Sequence, residues 1–240
     1  MVKPTKLILK MTDKSLHSLV DNINSGNTGS TLIFRRPLSQ YVDFAKIWIK
    51  KPTANDNVIS SDGPDHFYLI KNNEGICVAI VFDMLRDLHW FVLPQYRGEG
   101  YLTQSMKSTI IPHLFLSRDQ QRITIDEMQI GPHNFKASQK VALNLGFIKR
   151  EEQDYVLLKD DSTNENPNIG ENSELTTERM GELRKQINFL ARSLWTIQTE
   201  IEMGYGKTEY SEELQKLVGQ IKNHTWKIED FLWSNKKNID

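Results

Sequence analysis

The feature that most restricts the fold is the passage Trp90-Phe91-Val92-Leu93-Pro94-Gln95-Tyr96-Arg97-Gly98-Glu99-Gly100-Tyr101-Leu102-Thr103. An apolar run stops at Pro94, which has no N–H to give a sheet ladder, and a helical pattern begins near Tyr101. Between them stand Gly98 and Gly100, with Arg97 in front. A strand that becomes a helix over so short a span needs a tight loop, and glycine supplies the backbone freedom. The same loop suits an anion. Backbone N–H groups can approach closely, and a helix N-terminus carries about half a positive charge. Thr103 adds a hydroxyl and Arg97 a full charge. Taken alone, the pattern favours an ordinary strand-to-helix turn with solvated polar residues.

The flanking segments set the fold class. His66–Ile70 and Gly75–Met84 read as strands joined through the turn Asn72-Asn73-Glu74-Gly75. Leu88–Leu93 is a third strand, Tyr101–Leu116 a helix, Ile123–Ile130 a strand, Phe135–Leu145 a helix and Tyr155–Leu158 a last strand. Upstream, Thr31–Phe34 reads as a strand and Leu38–Ile49 as a helix, while Lys6–Met11 is a candidate extra strand before a helix over Asp13–Asn24. Strands that pair locally and then alternate with helices predict an α/β (α+β) fold, a mixed central sheet flanked by helices.

The chain divides by composition. Asp160 to Asn172 holds Ile169 as its one aliphatic residue and no aromatic, too little to bury, so it reads as a linker. Residues 1–159 form the predicted core domain, with 1–29 a possible extension, and 173–240 a helical appendage. There Met180, Leu183, Ile187, Leu190, Leu194, Ile197 and Ile201 recur in steps of three and four, as do Tyr210, Leu214, Leu217, Ile221, His224, Ile228 and Phe231. Two such seams broken by Gly204-Tyr205-Gly206 predict an antiparallel, coiled-coil-like hairpin, with Ser173 and Thr208 as N-caps. One stripe per helix leaves apolar surface to cover. The hairpin could dock on its own core, pair with a second hairpin or hold another protein. A homodimer is the first choice, cyclic dimers being the commonest assembly.

Balanced charge, a formal net of -1, removes the simplest argument for nucleic acid. The one cysteine, Cys77, sits in an apolar run and reads as a small buried residue. Without an apolar leader or a span of roughly 18 apolar residues, no membrane association is expected, and a cytoplasmic location is the default. No metal site is expected, since His224 has no second ligand spaced with it.

Two motifs resemble a known family. Arg97-Gly98-Glu99-Gly100-Tyr101-Leu102 is similar to the Arg/Gln-x-x-Gly-x-Gly/Ala loop of the Gcn5-related N-acetyltransferases, and Val92-Leu93-Pro94-Gln95-Tyr96 matches its lead-in. Downstream, Asn134 followed by a helix ending in Leu145-Gly146-Phe147 resembles the family's second motif. Gly100–Gln104 and Ala137–Val141 look most like the branch of ribosomal-protein alanine acetyltransferases. The likeness covers roughly Phe67 to Lys159. Three departures stand out. Leu102 occupies a Gly/Ala position, Asn134 lies one residue further than usual from Leu145-Gly146-Phe147, and Ala142 fills the slot of a Tyr that protonates the departing thiolate.

The resemblance implies an N-acetyltransferase that carries acetyl from acetyl-coenzyme A to an amine acceptor, a protein N-terminus, lysine or small amine, within a ternary complex. Carried over, Trp90, Phe91 and Val92 would pair with the pantetheine arm. Arg97, Gly98, Glu99, Gly100, Tyr101, Leu102 and Thr103 would hold the pyrophosphate, and Asn134 would add a contact. A backbone N–H near Phe91 or Val92 would polarise the thioester carbonyl. Candidate bases are His89, Asp126 and Glu127, since a parity switch in the Ile123–Ile130 run at Asp126-Glu127 suggests a bulge. Candidate acids are Ser138, Tyr101 and Tyr155, with water as an alternative. Ala142 keeps a second expectation open, a catalytically weak acyl-coenzyme A binding module whose hairpin mediates oligomerisation or partner binding.

Overall fold

A computed structural model describes residues 11–57, 63–161 and 175–236. The candidate strand at Lys6–Met11 (apart from Met11), most of the linker and the Ser173 cap lie outside the described residues. The chain forms two compact units, 1–172 and 173–240.

In the first unit, strands β1 (Leu32–Pro37), β2 (Val42–Trp48), β3 (Asp65–Lys71), β4 (Cys77–Asp83) and β5 (Leu88–Val92) form one antiparallel sheet in chain order. A second sheet holds β6 (Gln120–Thr124), β7 (Ile148–Lys149) and β8 (Asp154–Leu158) in the order β6-β8-β7. Every ladder is antiparallel. The expected α+β class is present, but the strands divide into two sheets where one central mixed sheet was expected.

All seven residues of β4 are buried, as a strand covered on both faces requires. On one face Phe67, Leu69, Ile80 and Phe82 pack with Leu16, Leu19 and Val20 of α1 (Asp13–Ser25). Thr12 caps α1 by accepting the Ser15 N–H, and Gly26 ends it at φ 70°. On the other face Tyr68, Ile70 and Val81 meet Met106, Ile110 and Leu114. These belong to the helical run α2 (Tyr101–Ser105), a π turn (Met106–Ile110) and α3 (Ile111–Leu114). α4 (Glu127–Asn144) buries Ala142 in the same cluster.

Two expectations fail here. Leu38–Ile49 is not a helix: Leu38 and Ser39 turn the chain through N–H bonds to the Val42 carbonyl, and β2 follows. Its apolar spacing fits either period, and ladders to both β1 and β3 decide it. The strand from Ile123 ends at Thr124, because Asp126 caps α4 by accepting the Met128 N–H at 2.9 Å. The parity switch at Asp126-Glu127 is therefore a helix start rather than a bulge. α4 also begins earlier than Phe135, with a break at Gly131 (φ 75°) before Pro132.

The second unit is the expected antiparallel pair, α5 (Thr177–Tyr205) and α6 (Glu209–Lys236). Thr176 caps α5, and Thr208 caps α6 by accepting the Ser211 N–H. The buried face comprises Met180, Ala191 and Gln198 against Ser211, Leu214, Val218 and Thr225. It is rotated from the expected seams, so that Leu190, Ile197, Leu217 and Phe231 are exposed. Two heptad seams interleave on α5, sharing Met180, Ile187, Leu194 and Ile201. The one carrying the small Ala191, opposite the α6 line that holds Ser211 and Thr225, is the one the two backbones pack on.

Candidate functional site

β5 is the edge of the first sheet and β6 the edge of the second, and no ladder joins them. Asp87 links the two at one end: its Oδ1 accepts the N–H of Leu88 and of Thr124, at 2.8 and 2.9 Å. A cleft of about 570 Å³ lies between the edges, lined by Leu88–Val92 on one side, Ile123–Ile125 on the other, and α2 and α4 above.

The ladder to β4 tells which backbone groups of β5 face this cleft. The Leu93 N–H bonds the Val78 carbonyl, and the register pairs Ile80 with Phe91. Alternate residues of an antiparallel strand direct their N–H and C=O to opposite edges. Phe91 is thus turned to β4, and Trp90 and Val92 turn theirs to the cleft. Of the two backbone positions proposed to polarise a carbonyl, Val92 stays available and Phe91 does not.

Beyond β5, a 3-10 turn at Pro94–Tyr96 leads to Gly98 and Gly100, at φ 83° and 85°. Both are left-handed conformations that side chains rarely adopt. Gly100 is the N-cap of α2 and offers no side-chain cap, so the first helical N–H groups have no side-chain acceptor there. Arg97 is not extended from the loop. Its Nε donates to the Val92 carbonyl at 3.1 Å, and its guanidinium lies 6.0 Å from the centre of the Phe91 ring.

Most of the residues anticipated from sequence line this one cleft: His89, Trp90, Phe91, Val92, Arg97, Gly98, Gly100, Tyr101, Leu102, Thr103, Asn134 and Ser138. Glu99 and Glu127 are not among its lining residues, and Glu127 is exposed in the first turn of α4. The carboxylate of Asp126 is taken up by its cap. Tyr155 is buried, with its hydroxyl accepting from Gln139 at 2.7 Å, and it is not among the lining residues either. Ala142 is fully buried in the core. Ser138 is the hydroxyl that α4 presents to the cleft, and its Oγ accepts the Trp90 indole N–H at 3.4 Å. The Asn134 amide donates to the Ile130 carbonyl at 3.0 Å, tying it to the Gly131 break.

One residue escaped the sequence reading. Asp13, at the start of α1, accepts a hydrogen bond from His89 Nε2 at 2.9 Å and also lines the cleft. That bond is the main reason its carboxyl is held below the ordinary range; partial burial opposes it, and the charges of His89 and Arg97 assist. With Nε2 engaged, Nδ1 is the imidazole nitrogen left to accept a proton. The sequence signalled only a helix beginning at Asp13; the pairing spans 76 positions.

Among the described residues, no group of three or more His, Cys, Asp or Glu is placed to hold a metal, and no helix is long and apolar enough to cross a membrane. Compared with protein-family models, curated proteins and solved structures, the chain matches none.

Proposed function

We propose that this chain is an N-acyltransferase of the Gcn5-related type, with the cleft between β5 and β6 taking acetyl-coenzyme A and an amine acceptor. The observation that carries this reading is the continuity of the cleft wall. The outward backbone of Trp90 and Val92 runs into the Gly98–Gly100 turn and then into an α2 start with no side-chain cap. A strand edge with no ladder partner suits an amide-bearing arm once Arg97 leaves the Val92 carbonyl, and the glycine turn with its helix start suits a pyrophosphate. The donor set fits the group. Arg97, now on Val92, would have to swing out to add its charge.

Acetyl-coenzyme A, when bound, supplies an acetyl group activated as a thioester. The chain's own residues do the rest. The Val92 N–H is the donor available to a developing oxyanion. His89 takes the amine proton at Nδ1, and Asp13 holds the ring and balances the charge it gains. Ser138, through its hydroxyl hydrogen, is the donor on α4 for the leaving sulfur. Holding donor and acceptor side by side is itself a large part of such catalysis. The acceptor is an amine; its class stays open.

A weaker catalyst, with the cleft serving mainly to bind, is favoured by one observation. Ala142 is buried and carries no acid. Calorimetry with acetyl-coenzyme A, followed by free-thiol release over a panel of amines, tests both. Saturable binding that is lost in Gly100→Val, where the left-handed backbone resists a branched side chain, supports the cleft assignment. Wild-type protein giving no binding heat would overturn it. Thiol release that depends on amine and on His89 separates the enzyme from the binder.

A further inference from the structure

The hairpin carries a second, largely exposed apolar face, and its pattern reads the same in reverse. On α5 the buried line Met180, Ala191, Gln198 faces α6. Leu183, Leu190 and Ile197 lie about a quarter of a turn away at about 100° per residue, with Leu190 and Ile197 58% and 51% exposed. On α6, Tyr210, Leu217, His224 and Phe231 are displaced from the buried line by a similar angle in the same sense. Tyr210, Leu217 and Phe231 are 58%, 43% and 61% exposed. In an antiparallel pair, equal rotations in one sense bring both stripes to the same side of the hairpin. From Leu183 to Ile197 and from Leu217 to His224, that side carries no Asp, Glu, Lys or Arg. The opposite side mixes Trp195 and Trp226 with Arg184, Arg192 and Lys222.

We propose that this face pairs with the same face of a second copy of the chain, across a two-fold axis perpendicular to the helices. The product is an antiparallel four-helix bundle with its two turns at opposite ends. Such a face must match its own reverse, and it does. Reversal about Leu190 sets Leu183 against the second copy's Ile197 and brings the two Leu190 side chains together. It also sets Arg179 near the second copy's Glu200. Reversal about His224 sets Leu217 against the second copy's Phe231. The two centres coincide. Arg184 bonds Glu229 at 3.0 Å and fixes the level of the helices. Six residues on from Arg184 and six back from Glu229, Leu190 stands level with Asn223, one residue or about 1.5 Å from His224. The other closed arrangement, with both turns at one end, would set Glu200 beside the second copy's Glu213, a like-charge contact. Arg179 also bonds Glu182 on its own helix, an exposed pair of the kind that contributes little and can reorient.

The test uses the full chain. Sedimentation velocity is expected to give a dimer, and Leu190→Lys a monomer with unchanged helix content by circular dichroism. Under mild oxidation Leu190→Cys should cross-link to itself. Leu183→Cys and Ile197→Cys should cross-link only when mixed; wild type, which keeps the buried Cys77, is the control. Arg179→Glu should raise the dissociation constant at least tenfold, and adding Glu200→Arg should restore it. A wild-type monomer at every concentration overturns the proposal. So does a Leu190→Cys chain that cross-links to His224→Cys and not to itself.

Discussion

The two units of this chain solve the burial problem to different degrees. In the first, β4 is covered on both faces, and aromatic side chains fill the space, with Phe67 and Phe82 stacked at 4.8 Å. In the second, most of the buried set is small or polar, Ala191, Ser211, Gln198 and Thr225 beside Met180, Leu214 and Val218, while Phe189, Leu190, Ile197 and Phe231 are exposed. A unit that buries its large side chains holds a core of its own. One that buries small ones and exposes large ones has put its backbones close together and left its apolar surface for something else. On the proposed reading, the difference separates a scaffold for a cleft from a surface for assembly.

Deleting residues 173–240 is the bluntest way to break that comparison. A cooperative melt and an intact cleft are expected to remain, with the dimer lost; thermal unfolding and sedimentation on both chains check this. A truncated chain that does not fold would mean the first unit is not self-sufficient. A matched pair sharpens the contrast. Phe82→Ala removes a fully packed ring and should cost about 3–5 kcal/mol, whereas Phe189→Ala, 69% exposed, should stay within about 0.5 kcal/mol. Urea titration reads both.

Much of the first unit could be read from the sequence because its signals are local. The Asn72–Gly75 turn, the Pro94 stop and the glycine pair each fix a backbone feature within a few residues. What could not be read depends on distant neighbours. β2 is a strand because β1 and β3 flank it, and Asp13 belongs to the cleft because α1 packs against β4 and β5. The hairpin failed differently. Its helices and the Thr208 cap were legible, but two overlapping seams cannot be ranked by period alone. The choice fell on side-chain size at Ala191, Ser211 and Thr225, which lets the backbones approach.

The next prediction sets the cleft against the fold that carries it. His89→Ala should lower turnover about a hundredfold or more, and Asp13→Asn roughly tenfold to a hundredfold, with acetyl-coenzyme A affinity unchanged in both. The rising limb of the pH–rate profile should vanish in His89→Ala and persist in Asp13→Asn, because Asp13 positions the base and does not replace it. Stability gives an independent reading. The Asp13 carboxyl is held low, so the contribution of its bond to His89 is present above the ordinary carboxylate value of about 3.9. It is lost as pH falls through the lower folded value. Asp13→Asn should flatten that acid limb. Turnover unchanged in His89→Ala would remove this residue from the chemistry.

The smallest effect expected concerns Asp87, which links the two sheet edges, and its sign is opposite. Burial pushes the Asp87 carboxyl up, against hydrogen bonds from Thr124 and Leu88 and the charge of Arg122. A raised folded value means that the group favours folding most below the ordinary carboxylate value, and that this is lost as pH rises through the raised one. Both N–H bonds end on a single oxygen, Oδ1. Asp87→Asn keeps that acceptor and removes the buried charge, so at neutral pH it should be near neutral or slightly stabilising, with the pH dependence gone. Asp87→Ala strands the N–H groups of Leu88 and Thr124 and should cost about 1–3 kcal/mol. The pair separates two roles that a single substitution would confuse: an acceptor that holds the sheet edges together, and a charge that the same position tolerates at a cost. If Asp87→Asn destabilises as much as Asp87→Ala, the charge itself is what joins the edges, and the carboxylate faces a cation that the hydrogen bonds do not account for.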